Sequence, residues 1–581
     1  MRKKIVIVGG VAGGASAAAR LRRLDEQAEI IMLERDGYIS FANCGLPYYI
    51  GGTIQDRNRL LVQTPASMQA RFNIDVRIHS EVTLVDTVNK KVTVKSRERG
   101  TYEEDYDTLI LSPGAKAMKP PIPGINSSRI FTLRNIADTD AIKTITDKNE
   151  VQSAVVIGGG FIGVEMAENL LEKGLHVSLV EAAPHILAPF DFDMAAIVEK
   201  ELVQNGVHLT TGDGVKAFED SENTINVILT SGTVLAADFI VLAIGVAPDT
   251  AILKDSGIAL GPKGHIIVNE KMQTNVPDVY AVGDAIEVVN FITGQKTAIP
   301  LAGPANKQGR IAADNISGLS SSYKGTQGTA ILKVFGLTAA TTGENERLLK
   351  KAGIACKAVQ IHTGSHASYY PGAVPMTLKL LFNAEGEVLG AQGIGGDGVD
   401  KRIDVIATAI RLKGTVHDLA QLELSYAPPF SSAKDPVNMA GFVAQNVLYG
   451  KFHLVTWLDV VKMNRGDYTL LDVRTPAEYQ NGHVAGAINI PVDDLREKLS
   501  LLDKDKTIVA YCQIGLRGYI ADRILSQNGF RVFNVTGGYK SALLFDIPKE
   551  VGLSGDYPGG SGHVKVDPET QAVKLEEKPS S

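Results

Sequence analysis

The sequence has 581 residues, a formal net charge of −6 at pH 7 and 44% hydrophobic residues. A chain of this length exceeds one hydrophobic core and predicts three or four domains. No apolar run reaches the ~18 residues of a membrane span, the start runs into a strand pattern rather than a signal peptide, and an acidic chain without a basic cluster does not favour nucleic acid. Three widely spaced cysteines, Cys44, Cys356 and Cys512, indicate a reducing compartment, so we expect a cytoplasmic protein.

A strand, a glycine-rich turn, a helix and a second strand are predicted over residues 4–34. The turn reads Gly9-Gly10-Val11-Ala12-Gly13-Gly14, and Glu34 ends the second strand. Such a turn lets a pyrophosphate approach the backbone at a helix N-terminus, and the acid can bind a ribose hydroxyl. Val11 stands where the middle glycine is usual, so this copy alone does not separate a nucleotide site from a structural turn.

The next stretch, Ser40-Phe41-Ala42-Asn43-Cys44-Gly45-Leu46-Pro47, carries a lone cysteine. Beside a flavin, such a thiol cannot close a disulfide within its own loop. Its oxidised form would be a mixed disulfide with a small thiol, a persulfide or a sulfenic acid. A buried and inert cysteine is the alternative.

A second and complete glycine pattern follows the strand Val155 to Ile157. Gly158-Gly159-Gly160-Phe161-Ile162-Gly163 opens a predicted helix, and the strand Val177 to Glu181 follows it. Two such patterns, each closing on an acid, predict two bound dinucleotides, one per domain. Glu181 is followed by two alanines and no arginine, which favours NADH over NADPH.

Three further segments carry a family resemblance. Residues 106–114, their echo at 237–245 and the run 274–285, which ends in Val282-Gly283-Asp284-Ala285, resemble shared elements of the flavoprotein disulfide reductases with two dinucleotide-binding domains. The resemblance implies that Asp284 binds the ribityl chain of FAD. It implies cofactor contacts at Gly9, Gly10, Val11, Ala12, Gly13, Gly14, Glu34, Arg35, Asn43, Val82, Ser112, Gly158, Gly160, Phe161, Gly163, Glu181, Gly245, Gly283, Asp284, Ala302 and Tyr426.

Residues 326–446 have a different texture, with short strand-like runs and helices predicted around 335–352 and 399–413. They contain Tyr369-Tyr370-Pro371 and Glu423 to Pro436. Together with the Cys44 loop, these motifs resemble the coenzyme A disulfide reductases. That resemblance implies a homodimer in which Cys44 forms a mixed disulfide with coenzyme A and two tyrosines of the partner subunit, Tyr426 and Tyr370, approach it, with the adjacent Tyr369 left open.

The helix after the first turn adds a physical argument for coenzyme A. Ser16, Arg20 and Arg23 share one helix face, and a basic stripe can anchor phosphates, although a solvated face has the same pattern. The resemblance adds substrate contacts at Ser40, Asn43, Arg71, Asn306 and Lys434. One lysine of the family is replaced here by Phe72.

A small separate domain is predicted over 455–547. Ile508 to Tyr511 reads as a buried strand that ends at Cys512-Gln513-Ile514-Gly515-Leu516-Arg517-Gly518, with a helix to about Gln527. Inward-pointing amides at a helix N-terminus suit an anionic persulfide. The pattern resembles a rhodanese domain, which implies Cys512 as the sulfur carrier and Arg517 in its anion cradle; the loop itself leaves a phosphatase open. We predict structural roles for Asp472 and His483, a core position for Cys356, and a mobile tail after 548.

These observations predict an α/β protein with two Rossmann-like domains, an α+β dimerisation domain and an α/β rhodanese domain. The expected boundaries are 1–112 with 246–325 for FAD, 113–149 for a connecting segment, 150–245 for NAD(P)H, 326–446 for dimerisation, 447–454 for a linker, 455–547 for the rhodanese and 548–581 for the C-terminal tail. The expected activity is NADH-dependent cleavage of coenzyme A persulfide, polysulfide or coenzyme A disulfide, with no metal site. An NADH peroxidase or oxidase using a sulfenic acid, or a sulfur-redox sensor, is the alternative.

Overall fold

The computed structural model describes residues 3–545, 547–550, 564–566 and 573–575. The chain forms two compact units. The first comprises the residues before 178 and residues 215–328, and the second comprises residues 178–214 and the described residues from 329 onward. Within this described part, no helix is both long and apolar enough to cross a membrane.

The helices and strands alternate along much of the chain. The helices are α1 (Ala12–Leu24), α2 (Leu46–Gly51), α3 (Pro65–Phe72), α4 (Ile136–Thr146), α5 (Phe161–Glu172), α6 (Phe192–Gln204), α7 (Ala302–Ile316), α8 (Glu346–Lys351), α9 (Val399–Arg411), α10 (Val416–Gln421), α11 (Pro436–Leu448), α12 (Trp457–Val460), α13 (Pro476–Gln480), α14 (Leu516–Gln527) and α15 (Gly538–Ala542). The strands are β1 (Lys4–Val8), β2 (Glu29–Leu33), β3 (Asp75–Arg77), β4 (Ser80–Asp86), β5 (Lys91–Ser96), β6 (Gly100–Asp105), β7 (Thr108–Leu111), β8 (Ala115–Ala117), β9 (Ile130–Thr132), β10 (Ser153–Ile157), β11 (His176–Glu181), β12 (His208–Thr211), β13 (Val215–Asp220), β14 (Ile225–Leu229), β15 (Val234–Ala237), β16 (Phe239–Leu242), β17 (Val246–Pro248), β18 (Ile266–Ile267), β19 (Val279–Ala281), β20 (Ile286–Val289), β21 (Lys296–Thr297), β22 (Ala330–Val334), β23 (Leu337–Gly343), β24 (Lys357–Gly364), β25 (Pro375–Phe382), β26 (Val388–Gly395), β27 (Leu454–Val455), β28 (Tyr468–Asp472), β29 (His483–Val484), β30 (Ile488–Asn489), β31 (Thr507–Tyr511), β32 (Val532–Val535), β33 (Lys549–Glu550), β34 (Val564–Val566) and β35 (Val573–Leu575).

The first unit is built on a parallel sheet in the order β19-β7-β1-β2-β3. Its strands read as apolar runs, and the last four residues of β1 and all of β7 are buried, as is typical of parallel strands covered on both faces. Parallel strands end at one edge of the sheet. This edge therefore carries Gly9 after β1, Glu34 after β2, Ser112 after β7 and Val282 after β19.

Two further sheets of the first unit support the second glycine turn. Strands β10, β16 and β9 pair in parallel, so that Gly158 after β10 and Ala243 after β16 lie at the same edge. Strands β13, β14 and β15 form an antiparallel sheet. The predicted Rossmann-like strand-turn-helix pattern is confirmed at both glycine turns of this unit.

The second unit contains an antiparallel sheet in the order β22-β23-β26-β25-β24. The prediction of one helix over 335–352 is wrong: residues 337–343 form β23, and only 346–351 are helical. β23 reads Leu-Thr-Ala-Ala-Thr-Thr-Gly, and β-branched threonines favour a strand that finds partners on both sides. The helix predicted over 399–413 is confirmed as α9.

The predicted rhodanese region forms a parallel sheet in the order β27-β32-β31-β28-β30. Its core includes Phe192 and Ala196 of α6, and the Phe192 ring stacks on Phe545 with centroids 5.6 Å apart. The region therefore shares a hydrophobic core with α6 of the same unit. Cys356 is half-buried just before β24, so the predicted core position is wrong. The predicted tail lies outside the described residues except at 548–550, 564–566 and 573–575.

Candidate functional sites

The first glycine turn is shaped by close backbone contacts. Gly9 has φ +94°, and a Cβ there would lie 2.1 Å from the Ser112 carbonyl oxygen. A Cβ on Gly14 would lie 2.0 Å from the Gly9 carbonyl oxygen. Both positions therefore exclude side chains, and the chain enters α1 at Val11 with its first amides uncapped by any side chain.

Glu34 is held against this turn. Its carboxylate accepts hydrogen bonds from the Gly10 amide at 2.8 Å and the Asp36 amide at 3.0 Å. Burial raises the pKa of Glu34, although the two amides oppose the shift. The two hydrogen bonds from backbone amides leave other lone pairs of the Glu34 carboxylate available for ribose hydroxyls. The predicted cofactor residue Arg35 is paired with Asp249, and its contact with a cofactor stays a prediction.

Asp284 lies at the start of the segment that follows β19. Its carboxylate accepts a hydrogen bond from the Arg134 guanidinium at 2.5 Å. The Gly283 amide donates to the Gln308 side chain at 2.8 Å, which fixes the turn. Arg134 was not predicted from the sequence, because it lies 150 residues from Asp284.

The Cys44 loop is tied to the first glycine turn. The Ser40 amide donates to the Gly10 carbonyl at 2.9 Å, and the Ala42 amide donates to the Leu60 carbonyl at 2.7 Å. Ser40 has φ +43°, a left-handed conformation that is uncommon outside glycine. Asn43–Gly45 then form one 3-10 turn ahead of α2, and Cys44 is exposed.

The electrostatic surroundings of Cys44 disfavour its thiolate. Partial burial by the surrounding protein raises the pKa of the Cys44 thiol, and the charges of Glu165 and Asp284 raise it further, while Arg134 lowers it. Tyr48 on α2 donates a hydrogen bond to Glu165 on α5 at 3.3 Å. Burial raises the pKa of Glu165 to about 7. Neither Tyr48 nor Glu165 was predicted from the sequence.

The basic face of α1 packs on α7. Ser16 donates to the Asn306 side chain at 2.8 Å, and Arg20 pairs with Asp314 at 2.7 Å. Arg23 is exposed. Both Arg71 and Arg23 lie at helix ends of the first unit with their side chains in solvent. The predicted substrate residues Ser16 and Asn306 are thus brought together, whereas Arg20 has an acidic partner that the sequence did not indicate.

The second glycine turn repeats the geometry of the first. Gly158 has φ +105°, and a Cβ on Gly163 would lie 1.8 Å from the Gly158 carbonyl oxygen. By contrast, a Cβ on Gly160 would meet nothing within 4 Å. Gly160 is the N-cap of α5, and Phe161 is its first residue. The N-terminus of α5 therefore presents bare backbone towards open space, as a pyrophosphate site requires.

The remaining predicted cofactor residues are spread over both units. Gly245 has φ +110°, Val82 is buried in β4, and Ala302 begins α7. In the second unit, the Glu181 carboxylate accepts the Ala183 amide at 2.7 Å. These assignments remain predictions.

The tyrosines of the second unit bear on the choice that the sequence left open. The Tyr369 and Tyr426 hydroxyls lie 2.8 Å apart, within hydrogen-bond distance. Tyr370 instead packs edge-on against His366, with ring centroids 5.8 Å apart. Lys434 is exposed. Tyr369 is thus paired with Tyr426 within one chain, and which of Tyr369 and Tyr370 approaches Cys44 stays a prediction.

Cys512 lies at the carboxyl end of β31, inside the loop that precedes α14. Its side chain is buried, and the Gly515 amide lies 3.0 Å from the Cys512 sulfur as a hydrogen-bond donor. Gly515 reaches this position with φ +136°. The Arg517 guanidinium donates two hydrogen bonds to Glu478, at 2.6 and 2.7 Å. Glu478 was not predicted from the sequence.

A buried ion pair contacts the Cys512 loop through Gln513. The Arg474 guanidinium pairs with Asp472 at 2.7 Å, lies over the Tyr539 ring at 4.0 Å and donates to the Gln513 side chain at 3.2 Å. Asp472 is fully buried. The structural role predicted for Asp472 thus has a concrete form, since the pair fixes Gln513 next to Cys512.

Comparison with known protein families assigns three regions of the chain to described families. The family model described as pyridine nucleotide-disulphide oxidoreductase matches residues 3–309, its dimerisation domain matches residues 329–436, and a rhodanese-like domain matches residues 459–543. The chain belongs to the pyridine nucleotide-disulphide oxidoreductase family. It is a flavin-dependent oxidoreductase of the α/β class, with FAD and NAD(P)H as cofactors, and it carries a C-terminal rhodanese domain.

Three individual proteins are similar to this chain over most of its length. The coenzyme A disulfide reductase of Staphylococcus aureus (strain JH9) is 39% identical over 445 residues, which is 76% of this chain and all of that protein. The reduced Bacillus anthracis CoADR-RHD is 53% identical, with a TM-score of 0.91 over 94% of this chain and 98% of the other. An NAD-dependent persulfide reductase from A. fulgidus is 36% identical, with a TM-score of 0.88 over 93% of this chain and 99% of the other.

Proposed function

We propose that this protein is an NADH-dependent reductase that cleaves the S–S bond of coenzyme A persulfide, polysulfide or coenzyme A disulfide through Cys44. In this proposal Cys512 relays sulfane sulfur. The observation that carries it is the Cys44 loop: an exposed thiol with no cysteine neighbour, hydrogen-bonded through Ser40 to the first glycine turn. A lone thiol there must form its mixed disulfide with an external thiol.

The residues of the first unit fit FAD. The amides at the start of α1 suit a pyrophosphate, Glu34 offers a carboxylate for ribose, and Asp284 offers one for the ribityl chain. When bound, FAD would supply the path by which two electrons from NADH reach sulfur. Gly160 and Phe161 would hold the nicotinamide cofactor at α5. Glu181 is followed in the sequence by two alanines rather than an arginine, which supports NADH over NADPH.

Coenzyme A would lie against α1 and α7. Ser16 and Asn306 already share a hydrogen bond, and Arg23 is exposed for a phosphate. Ser40, Asn43, Arg71 and Lys434 are further contacts under this proposal. In a homodimer, Tyr426 with Tyr369 or Tyr370 would approach Cys44 from the partner subunit.

The sulfur chemistry at Cys44 balances without a further reagent. The Cys44 thiolate attacks the coenzyme A sulfur of the persulfide, a Cys44–coenzyme A disulfide forms, and the outer sulfur leaves as hydrosulfide. Two electrons that originate in NADH then cleave this disulfide into two thiolates. A tyrosine hydroxyl beside the leaving sulfur would assist by donating a hydrogen bond. Coenzyme A disulfide would react in the same way and release coenzyme A instead of sulfide.

The rhodanese domain would supply the persulfide. Cys512 would accept a sulfane sulfur, the Gly515 amide would stabilise the anionic terminal sulfur, and the thiolate of coenzyme A would take that sulfur away. The outer S–S bond breaks and a new one forms at each transfer, so no electrons are consumed. The long pantetheine arm would carry the sulfur between the two thiols.

The test follows NADH oxidation without oxygen while coenzyme A persulfide, polysulfide and coenzyme A disulfide are offered in turn and sulfide is assayed. We expect preference for the persulfide or polysulfide, with one sulfide released for each NADH. Preference for the disulfide without sulfide would make the protein a thiol-redox enzyme. Consumption of one flavin equivalent of NADH and no more would identify a sensor, and turnover only with peroxide or oxygen would identify a peroxidase or oxidase.

A further inference from the structure

The loop around Cys512 contains a single cation, and that cation is neutralised. Arg517 is bound side by side to both oxygens of Glu478, a geometry that satisfies the guanidinium fork and the carboxylate together. Arg517 is the first cause that lowers the pKa of Glu478 to about 2, so the acid stays ionised at neutral pH. An incoming anion would therefore meet the charge of Glu478 as well as that of Arg517.

A neighbouring cation, Arg474, is also paired. Arg474 is paired with the buried Asp472 and covered by the Tyr539 ring. Arg474 therefore adds no uncompensated positive charge at Cys512. Burial first and then the charge of Lys200 lower the pKa of Lys540 on α15.

The exposed side chains at the mouth of the loop are apolar. Ile514 and Leu516 flank Gly515 and are 38% and 64% exposed. Ile520 follows Leu516 by one helical turn of α14 and is 39% exposed. The Gly515 amide is directed at the Cys512 sulfur, where the transferred sulfur would be held.

This combination discriminates between sulfur donors by charge. Thiosulfate is a small dianion, and bringing it to an apolar mouth whose loop cation is paired with Glu478 costs its hydration energy with little return. A persulfide on a long uncharged arm loses much less, and the arm gains contact with the apolar rim. The thiol that takes the sulfur from Cys512 enters by the same apolar mouth, so a thiol on an uncharged arm is favoured there too.

We propose that the Cys512 site takes persulfides and thiols carried on an uncharged organic arm, such as the pantetheine end of coenzyme A, and rejects thiosulfate and similar small dianions. Ile514 and Glu478 set this specificity. The inference rests on the proposed relay function and names its substrate class. In the transfer, the Cys512 thiolate attacks the outer sulfur of the persulfide, the bond between the two donor sulfurs breaks, and the donor leaves as its thiolate.

The test measures how fast Cys512 gains one sulfur atom, by mass spectrometry of the full-length flavoprotein without NADH. A Cys44→Ser background confines loading to the rhodanese site, and a Cys44→Ser/Cys512→Ser double variant gives the background of other thiols. The donors are pantetheine persulfide and thiosulfate. We expect the loading efficiency for pantetheine persulfide to exceed that for thiosulfate by about 100-fold, a ratio set by the charge of the donor at the neutral loop.

Ile514→Arg is the decisive variant, since its position is exposed and tolerates a longer side chain. It should raise thiosulfate loading about tenfold, less so at high salt, because it adds a cation that no acid neutralises. Ile514→Gln, which adds length and polarity without charge, should not raise it. Glu478→Gln frees Arg517 and should act in the same direction as Ile514→Arg.

Two results would overturn the proposal: thiosulfate loading the unaltered loop as well as pantetheine persulfide does, or Ile514→Arg giving no gain. The fate of the proposed function is read separately, from NADH-dependent sulfide release with Cys44 intact. Loss of that activity with the donor preference retained would refute the reductase assignment and leave the specificity standing.

Discussion

The two thiols to which we assign chemistry, Cys44 and Cys512, lie in opposite surroundings. Cys44 is exposed, yet partial burial and the acids Glu165 and Asp284 raise its pKa. Cys512 is buried, yet an amide donor points at its sulfur. Exposure therefore does not rank the two thiols by reactivity. The surroundings of Cys44 favour the neutral thiol. The Gly515 amide at Cys512, by contrast, favours a negatively charged sulfur.

The sharpest way to separate the two sites is to remove the first thiol. Cys44→Ser should lower NADH-dependent release of sulfide from coenzyme A persulfide by about 10³-fold or more, because the nucleophile is lost. Sulfur loading at Cys512 should persist. The assay pairs anaerobic NADH oxidation with mass spectrometry of Cys512. Full NADH-dependent turnover in the variant would contradict the assignment of Cys44.

The packing of the rhodanese domain can be loosened without touching either thiol. Phe545→Ala removes a buried ring that stacks on Phe192 and should lower the free energy of unfolding of this domain by about 3 kcal/mol. Calorimetry should then show the rhodanese transition at a lower temperature. Leu543→Ala, at an exposed neighbouring position, is the matched control. Equal stability of the two variants would argue against the shared core.

The amide at Cys512 can be displaced by a single methyl group. Gly515→Ala forces a side chain into φ +136°, a conformation that costs L-residues of the order of 1–3 kcal/mol. The loop should relax and the amide should leave the sulfur, so loading of Cys512 should fall about tenfold. Gly529→Ala also occupies a positive φ, of +83°, but lies beyond α14. It should leave loading unchanged, and an equal loss in both variants would count against the role of the amide.

The acid beside Cys44 predicts a modest pH effect. Above pH 7 the Glu165 carboxylate is ionised and raises the pKa of Cys44, so Glu165→Gln should let the thiolate form at lower pH. The flavin–thiolate charge-transfer band reports this titration once the holoprotein is partly reduced. Glu172→Gln, on the exposed end of the same helix, should titrate as the unaltered protein does.

The same carboxyl also affects stability. Its pKa in the folded protein, about 7, lies above its ordinary value of 4.5. Between these values the folded state holds a proton that the unfolded state releases, so the free energy of unfolding should fall as pH rises through this window. Glu165→Gln should flatten that fall. An unchanged slope would show that Glu165 does not titrate in this range.

Local patterns explain what the sequence predicted well. The turns at Gly9 and Gly158 have backbone conformations and close contacts that only glycine satisfies, and the strand Thr507–Tyr511 has the buried apolar run Ile508-Val509-Ala510 at its centre. The helix predicted over 335–352 is wrong at residues 337–343 because the strand there depends on partners on both sides. The alanines and threonines of this segment do not by themselves show whether its hydrophobic pattern repeats as in a helix or as in a strand.

The pairs that tune the sites were beyond sequence reasoning for a different reason. Tyr48 meets Glu165 across 117 positions, and Arg517 meets Glu478 across 39. Arg517 was expected from the rhodanese resemblance, but the other members resemble ordinary surface residues in the sequence, and only packing reveals each partner. The Tyr369–Tyr426 contact illustrates the same limit, since adjacency in sequence could not decide which tyrosine turns towards Tyr426.

The shared core of α6 and the rhodanese domain has a practical consequence for protein engineering. Phe192 and Ala196 are covered by residues that lie after position 455. A reductase shortened before the rhodanese domain would expose these apolar side chains to solvent and should self-associate at high concentration. Polar replacements at those two positions, chosen before the chain is cut, should keep the shortened protein dispersed.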